Sequence, residues 1–235
     1  MLLTALLLPS LMPKSLKWIL LAMTLMLILG TAYRVSWISI LDPGLPSGQG
    51  LITLIFKGLL VDAKFVAAMG ILLWLLGQIP GIHFFKTLTG KKVGLWLVTA
   101  LFFGALLCLL ADFASLASTS RHLNTDILGS WFRSDKDNAA IWRQLPLFPI
   151  ILIILLATAA FYFLMRFTHR LLHKEHARYP HGNRVISHAS FLLIATVLLF
   201  GVYLFRLLPE NQPAANVLVT NVWQSFFAHE KKMAP

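Results

Sequence analysis

The sequence has few charged residues and almost no cysteine, and both shortages narrow the class of protein. Only 12% of its 235 residues are charged and 58% are hydrophobic, whereas about a quarter of the residues in a typical soluble domain are charged. A single cysteine, Cys108, excludes a disulfide scaffold, and the 14 glycines and 11 prolines are too few for a collagen-like chain. The mean hydropathy of +0.77 indicates that much of the chain lies outside water.

Long apolar runs fill most of the chain. A helix needs about 20 mostly apolar residues to cross a hydrocarbon core about 30 Å thick. Five windows of this length carry charges only near their ends, at residues 16–40, 64–82, 93–111, 145–165 and 187–207. A cleavable signal peptide is the alternative for the first window, but no convincing small-residue cleavage site follows it. The sequence therefore predicts an all-α polytopic membrane protein with five transmembrane helices over residues 1–208 and an extracytoplasmic linker over residues 209–235.

The basic residues are divided unequally between the loops. A net charge of +11 at pH 7 would favour nucleic acid as the partner of a soluble protein. With the N-terminus inside, ten cations and one acid fall on the cytoplasmic side, whereas eight cations and seven acids fall outside. Because Lys and Arg concentrate in cytoplasmic loops, we predict a bacterial cytoplasmic (inner) membrane protein with its N-terminus inside and its C-terminus outside. The excess charge then faces anionic lipid headgroups, and no nucleic-acid partner is expected.

Three further stretches are predicted to form helices that lie on the outer surface of the membrane. Residues 51–62 are apolar but contain Lys57 and end at Asp62, and a charge inside hydrocarbon costs at least about 2.5 kcal/mol. We therefore predict a separate interfacial or re-entrant helix there, before the second span. Apolar side chains recur at helical spacing in residues 124–132 and 216–229, which predicts amphipathic interfacial helices on the outer face.

The outer side combines isolated cations with aromatic residues, as a lipid-headgroup site does. Arginine binds phosphate with two parallel hydrogen bonds, and Trp anchors at the membrane interface. Asp62 needs a partner on another element, and Arg34 is the candidate; solvated charges at headgroup level, with arginines that only snorkel, are the alternative. The predicted headgroup-binding residues are Arg34, Asp62, Arg121, Arg133 and Arg143, and the predicted interfacial anchors are Trp131, Phe132, Trp142 and Trp223.

Histidines recur between the fourth and fifth spans. His169, His173 and His176 are separated by four and three residues, so a helix places them on one face, as a metal site requires. The basic residues around them disfavour a divalent cation, and we predict instead a basic surface that faces lipid headgroups. No Walker loop, HExxH or G-x-S-x-G motif indicates catalysis. Neither a metal nor another cofactor is expected in this chain.

Four short motifs follow one another along the chain: Arg34 near the end of the first span, GLLVD at residues 58–62, Asp112 at the end of the third span, and RHLN at residues 121–124. This order resembles the membrane domain of the lipoteichoic acid synthase-like family, which includes phosphoglycerol and phosphoethanolamine transferases of bacterial envelopes. The resemblance implies five membrane helices, a linker, and a large extracytoplasmic domain of alkaline-phosphatase or sulfatase type. In that domain a Thr nucleophile and a divalent metal transfer the headgroup, and we expect it to lie outside this chain.

Two functions are compatible with these features. In the first, the chain is the membrane domain of a headgroup transferase; it anchors the enzyme and presents lipid at the outer leaflet, while this chain alone is not the catalyst. In the second, it is a non-catalytic lipid-binding or scaffolding module that acts through partner proteins. Both make the phospholipid bilayer and its anionic headgroups the first partner and a membrane protein the second.

The predicted topology can be tested by labelling single cysteines in a Cys108→Ala background. A membrane-impermeant maleimide should modify Ser134→Cys in intact cells, because the loop after the third span is predicted to lie outside. It should modify Lys174→Cys only after the membrane is permeabilised. Modification of both cysteines from the same side would contradict the five-span topology.

Overall fold

The computed structural model describes residues 12–41, 49–119, 147–174 and 181–204. These residues form five α-helices and a short 3-10 turn, Pro80–Ile82. The helices are α1 (Lys14–Leu41), α2 (Gln49–Gln78), α3 (Leu88–Thr119), α4 (Leu147–Lys174) and α5 (His181–Leu204). Within the described ranges the all-helical prediction is confirmed.

Each helix contains a segment that is long and apolar enough to cross a membrane. The five segments span Lys14–Ser36, Gly58–Gln78, Leu88–Ser115, Ile150–Lys174 and Gly182–Phe200. In a helix every interior backbone group is paired within its own segment, which is why apolar helices are stable without water. The five predicted spans are confirmed as helices, and they indicate a membrane location.

Two helix boundaries differ from the predicted ones. Residues 51–62 are not a separate interfacial helix, because α2 runs without a break from Gln49 to Gln78. One glycine inside a helix costs only about 1 kcal/mol, so Gly58 does not end it. The third helix continues to Thr119, and Asp112, which the charge count placed in the outer loop, is a fully buried residue inside it.

The chain divides into two compact units. Unit 1 comprises Met1–Leu29, Asp62–Phe103 and Thr158–Leu207, and unit 2 comprises Gly30–Val61, Gly104–Ala157 and Leu208–Pro235. Unit 1 therefore holds the first part of α1 and α3 together with the last part of α2 and α4. Consecutive helices run in opposite directions within it, as the predicted topology requires.

In unit 1, the turn between α2 and α3 packs against α1 through the buried aromatic ring of Phe84. Phe84 is 1% exposed, and its ring meets that of Trp18 edge-on at a centroid distance of 5.6 Å. A Cβ atom on Gly94 would lie 2.7 Å from Cδ1 of Phe84, and one on Gly77 would lie 3.2 Å from Cε2. The two glycines thus leave the space that this ring occupies.

Hydrogen bonds from ring nitrogens connect separate segments of unit 1. The Trp18 indole Nε1 donates to the Met165 carbonyl at 3.1 Å, and the Trp74 indole Nε1 donates to His188 Nδ1 at 2.9 Å. His169 Nε2 donates to the Phe84 carbonyl at 2.8 Å. The sequence predicted that His169 lies on an exposed surface that faces headgroups, and this prediction is wrong. His169 is 2% exposed, and its hydrogen bond connects α4 to the turn before α3.

The role of Gly94 can be tested against a second glycine of the same helix. Gly94→Ala should lower the melting temperature in detergent, because the new methyl group meets the Phe84 ring. At Gly104 a Cβ meets no neighbouring group within 4 Å among the described residues. Gly104→Ala should therefore leave the melting temperature unchanged or raise it, since Ala favours helix by about 1 kcal/mol. Equal melting temperatures for the two variants would contradict this packing.

Candidate functional site

Some of the buried polar side chains lie in unit 2, on mostly apolar helices. Arg34 on α1 is 3% exposed, and Asp112 and Ser115 on α3 are 0% exposed. Ionisable residues inside membrane segments are rare and costly, so they indicate a functional site by default. We call Tyr33, Arg34, Gly58 and Asp112 the Arg34 cluster.

The guanidinium of Arg34 lies directly against the backbone of α2. Its Nη2 donates to the carbonyl oxygen of Gly58 at 3.1 Å. A Cβ atom on Gly58 would lie 2.6 Å from Cζ and 2.7 Å from Nη1 of Arg34, closer than real atoms approach. Gly58 is therefore required for the position of the guanidinium, and a larger residue there would displace it.

The residue before Arg34 connects α1 to α3. The Tyr33 hydroxyl donates to Oδ2 of Asp112, which is a hydrogen bond to a carboxylate and so among the stronger kinds. Consecutive helical residues point about 100° apart, from 3.6 residues per turn. Tyr33 and Arg34 thus reach two different helices, and α1 is fixed in rotation by both contacts.

The guanidinium of the Arg34 cluster is suited to binding an anion. A guanidinium has five N–H donors in a planar fork that matches two oxygens of a phosphate or carboxylate. The Gly58 carbonyl holds that fork in a fixed place, which lowers the entropy lost when an anion binds. Among the described residues, no three His, Cys, Asp or Glu side chains converge as ligands for a metal.

Asp62 is the second predicted headgroup residue that the structure describes. It lies on α2 one helical turn after Gly58, and it is partly exposed. Its proposed pairing with Arg34 stays a prediction.

The other predicted site residues lie outside the described residues. They are Arg121, Arg133 and Arg143, with the predicted anchors Trp131, Phe132, Trp142 and Trp223. The predicted interfacial helices at 124–132 and 216–229 and the linker at 209–235 lie there too.

Only part of the histidine pattern lies on a described helix. His169 and His173 are both on α4, with His169 buried and His173 exposed, and His176 falls outside the described residues. The rings of His169 and His173 are nearly parallel, with centroids 6.3 Å apart. The spacing therefore does place these two on neighbouring turns of one face, as predicted.

No protein-family model, no curated protein and no solved structure matches this chain. The resemblance to lipoteichoic acid synthase-like membrane domains has no support from known relatives and remains a prediction. Of the residues that carried it, Arg34 and Gly58 are in contact and Asp112 is bonded to Tyr33, the neighbour of Arg34; residues 121–124 lie outside the described residues.

Sequence reasoning missed the partner of Asp112. The aspartate was counted with the outer loop because a charge normally ends a span. The sequence does indicate that Asp112 lies inside the helix, because apolar residues continue after it, through Phe113 and Ala114 to Leu116. A charge inside such a run must find a partner within the protein, and a tyrosine beside another buried charge is a suitable donor.

The link between Tyr33 and Asp112 can be measured by a double-mutant cycle. Tyr33→Phe and Asp112→Ala should show a coupling free energy of about 0.5 to 2 kcal/mol in reversible detergent unfolding, because each removes the same bond. Tyr33→Phe combined with Thr99→Val is the control, since Thr99 bonds to Leu95 of its own helix. Additive effects in the first pair would show that the bond does not contribute.

Proposed function

We propose that this chain binds the headgroup of an anionic phospholipid through the Arg34 cluster. The observation that carries the proposal is the buried guanidinium of Arg34, held against the backbone of Gly58 in an apolar helical unit. Burial of an arginine costs free energy that a hydrophobic residue of similar volume would not. The proposal gives this buried donor group a role, because a guanidinium recognises anions.

A phosphodiester fits this site in charge and geometry. Two phosphate oxygens match two parallel N–H groups of the guanidinium, and the low dielectric surroundings strengthen the attraction. The apolar helices around the cluster are compatible with acyl chains, so a lipid satisfies both parts of the site. On the predicted topology, the cluster lies toward the outer leaflet.

The wider role that we propose is that of a membrane domain in a headgroup transferase of the lipoteichoic acid synthase-like kind. The chain would anchor the enzyme in the bacterial cytoplasmic membrane and present lipid at the outer leaflet. The interfacial helices predicted at 124–132 and 216–229 would extend the site, with Arg121, Arg133 and Arg143 as further phosphate donors. The catalytic step and its divalent metal would belong to a separate extracytoplasmic domain.

A scaffolding module is the second candidate, and the exposed apolar faces of α4 and α5 favour it. The apolar segments of these two helices are only 17% buried inside the protein, against 44% for α1. A membrane protein that packs on α4 and α5 would cover such faces, although acyl chains also would. The two functions differ in whether the Arg34 cluster itself binds lipid.

Lipid retention tests the proposed function. Protein purified from membranes that contain phosphatidylglycerol should keep bound lipid in native mass spectrometry. Arg34→Gln should reduce the retained fraction at least about fivefold, as the loss of roughly 1 kcal/mol per phosphate contact implies. Arg121→Ala should reduce it as well if the loop extends the site.

The matched control is Arg184→Gln, which removes the same charge from an exposed position on α5 in unit 1. It should keep the wild-type retention. Lipid retention is compared only between variants whose melting temperature equals that of the wild type, so that a loss of retained lipid cannot result from unfolding. Equal retention in Arg34→Gln and the wild type would overturn the proposal and leave the scaffolding function.

A further inference from the structure

One end of unit 1 carries positive charge where helices already present a positive dipole. Lys14 and Lys17 lie in the first turn of α1, Lys91 in the first turn of α3, and Arg184 in that of α5, and none of these turns contains an acid. Cations at a helix N-terminus oppose the macrodipole, whereas an anion there is stabilised. Among the described residues of unit 1, the single acid is Asp62.

A buried histidine at this end has one ring nitrogen without a partner. The His169 ring stacks on Phe85 at 4.3 Å between centroids and meets Trp18 edge-on at 6.0 Å. Its Nε2 donates to the Phe84 carbonyl. Its Nδ1 is buried and has no hydrogen-bond partner in the described part of the chain. Buried polar atoms are almost always paired, so this nitrogen indicates a missing group.

Among the described residues, the groups that interact electrostatically with the His169 ring are basic. Lys91 and His173 lie close enough to interact electrostatically with its ring. In the adjoining turn, burial and the charge of Lys86 lower the pKa of His83, which lies outside the membrane-spanning segments. Lys14 Nζ donates to the His173 carbonyl at 3.3 Å. A cation would be repelled here, and an anion would be attracted.

We propose that His169, Lys91 and His173 form a second anion site, the His169 site, which binds a phosphate group. The phosphate is carried by a lipid headgroup or is free in solution. The His169 site lies in unit 1 and shares no residue with the Arg34 cluster of unit 2. It does not depend on the function proposed for that cluster.

The chemistry of the ring suits a phosphate. Because Nε2 carries the hydrogen that bonds to Phe84, a second proton would sit on Nδ1 and make it a donor. A phosphate oxygen accepts that hydrogen bond, and its negative charge favours the protonated ring. The same charge offsets Lys91 and the N-terminal dipole of α3.

One member of the proposed site is exposed. His173 lies one turn beyond His169 on α4, and its side chain is exposed. The two rings are nearly parallel, with centroids 6.3 Å apart.

Nuclear magnetic resonance of histidine nitrogens tests the site directly. Protein labelled with [¹⁵N]histidine is prepared in neutral maltoside micelles, and either inorganic phosphate or phosphatidylglycerol is added. The His169 signals, assigned by their loss in His169→Asn, should shift saturably as Nδ1 becomes a donor. Lys91→Gln should weaken the apparent affinity about fivefold, the effect of one nearby cation.

The matched control is Lys92→Gln, which removes the same charge from the exposed neighbouring residue of α3 and should keep the wild-type affinity. A response to both ligands identifies phosphate itself as sufficient, and a response to phosphatidylglycerol alone identifies a lipid headgroup. No saturable response to either, or an equal response in Lys91→Gln and the wild type, would overturn the proposal in favour of a buried water.

Arg34→Gln keeps the two proposals separate. It should leave the His169 response unchanged even where it abolishes lipid retention at the Arg34 cluster. If His169→Asn does not fold, the His169 signals are assigned by through-bond correlation to the backbone, and Lys91→Gln, at a more accessible position, remains the test of affinity. A His169 response that disappears in Arg34→Gln would show that only one anion site exists, and would overturn the His169 site.

Discussion

Polar atoms inside apolar helices must find partners within the protein, and the described structure depends on this constraint. Hydrocarbon offers no hydrogen bonds, so an unpaired polar group there costs several kcal/mol. Trp18, Trp74 and His169 meet the requirement in unit 1 by bonding to another helix or to the turn before α3. Tyr33 and Arg34 do so in unit 2. Each bond joins segments that lie far apart in sequence.

The neutral hydrogen bonds and the buried charges among these contacts differ in their free-energy cost. A hydrogen bond between membrane helices contributes about 0.6 kcal/mol on average, and the indole bonds of Trp18 and Trp74 are neutral contacts of that kind. Arg34 and Asp112 are different because they are buried and ionisable, and burial of a charge costs more free energy than burial of an indole. Gly58 leaves the space that the guanidinium of Arg34 occupies. The anion binding that we propose would give this buried charge a function.

The sequence predicts the five spans well because hydrophobic length is a local property, which each window reveals without its neighbours. It predicts less well where charge falls inside a span. Residues 51–62 and Asp112 are predicted to lie at the interface or in a loop because a charge inside hydrocarbon is costly, yet Asp112 is paired with Tyr33, which lies 79 residues away along the chain. His169 is predicted to lie on a basic surface because cations surround it in the sequence, and its contact with Phe84 is not visible in that local pattern. The predicted headgroup residues all stay predictions; for Arg34 the structure shows burial and a hydrogen bond to the Gly58 carbonyl.

The central claim is that the guanidinium of Arg34 contacts the phosphate of a bilayer lipid. Solid-state nuclear magnetic resonance can measure this contact as dipolar coupling between [¹⁵N]arginine and the lipid ³¹P nucleus in phosphatidylglycerol bilayers. The account predicts a strong coupling for the Arg34 side chain, assigned by its loss in Arg34→Lys and weakened in Gly58→Ala, where the new methyl group displaces the guanidinium. If ³¹P coupling appears only for other arginines and never for Arg34, the account is wrong.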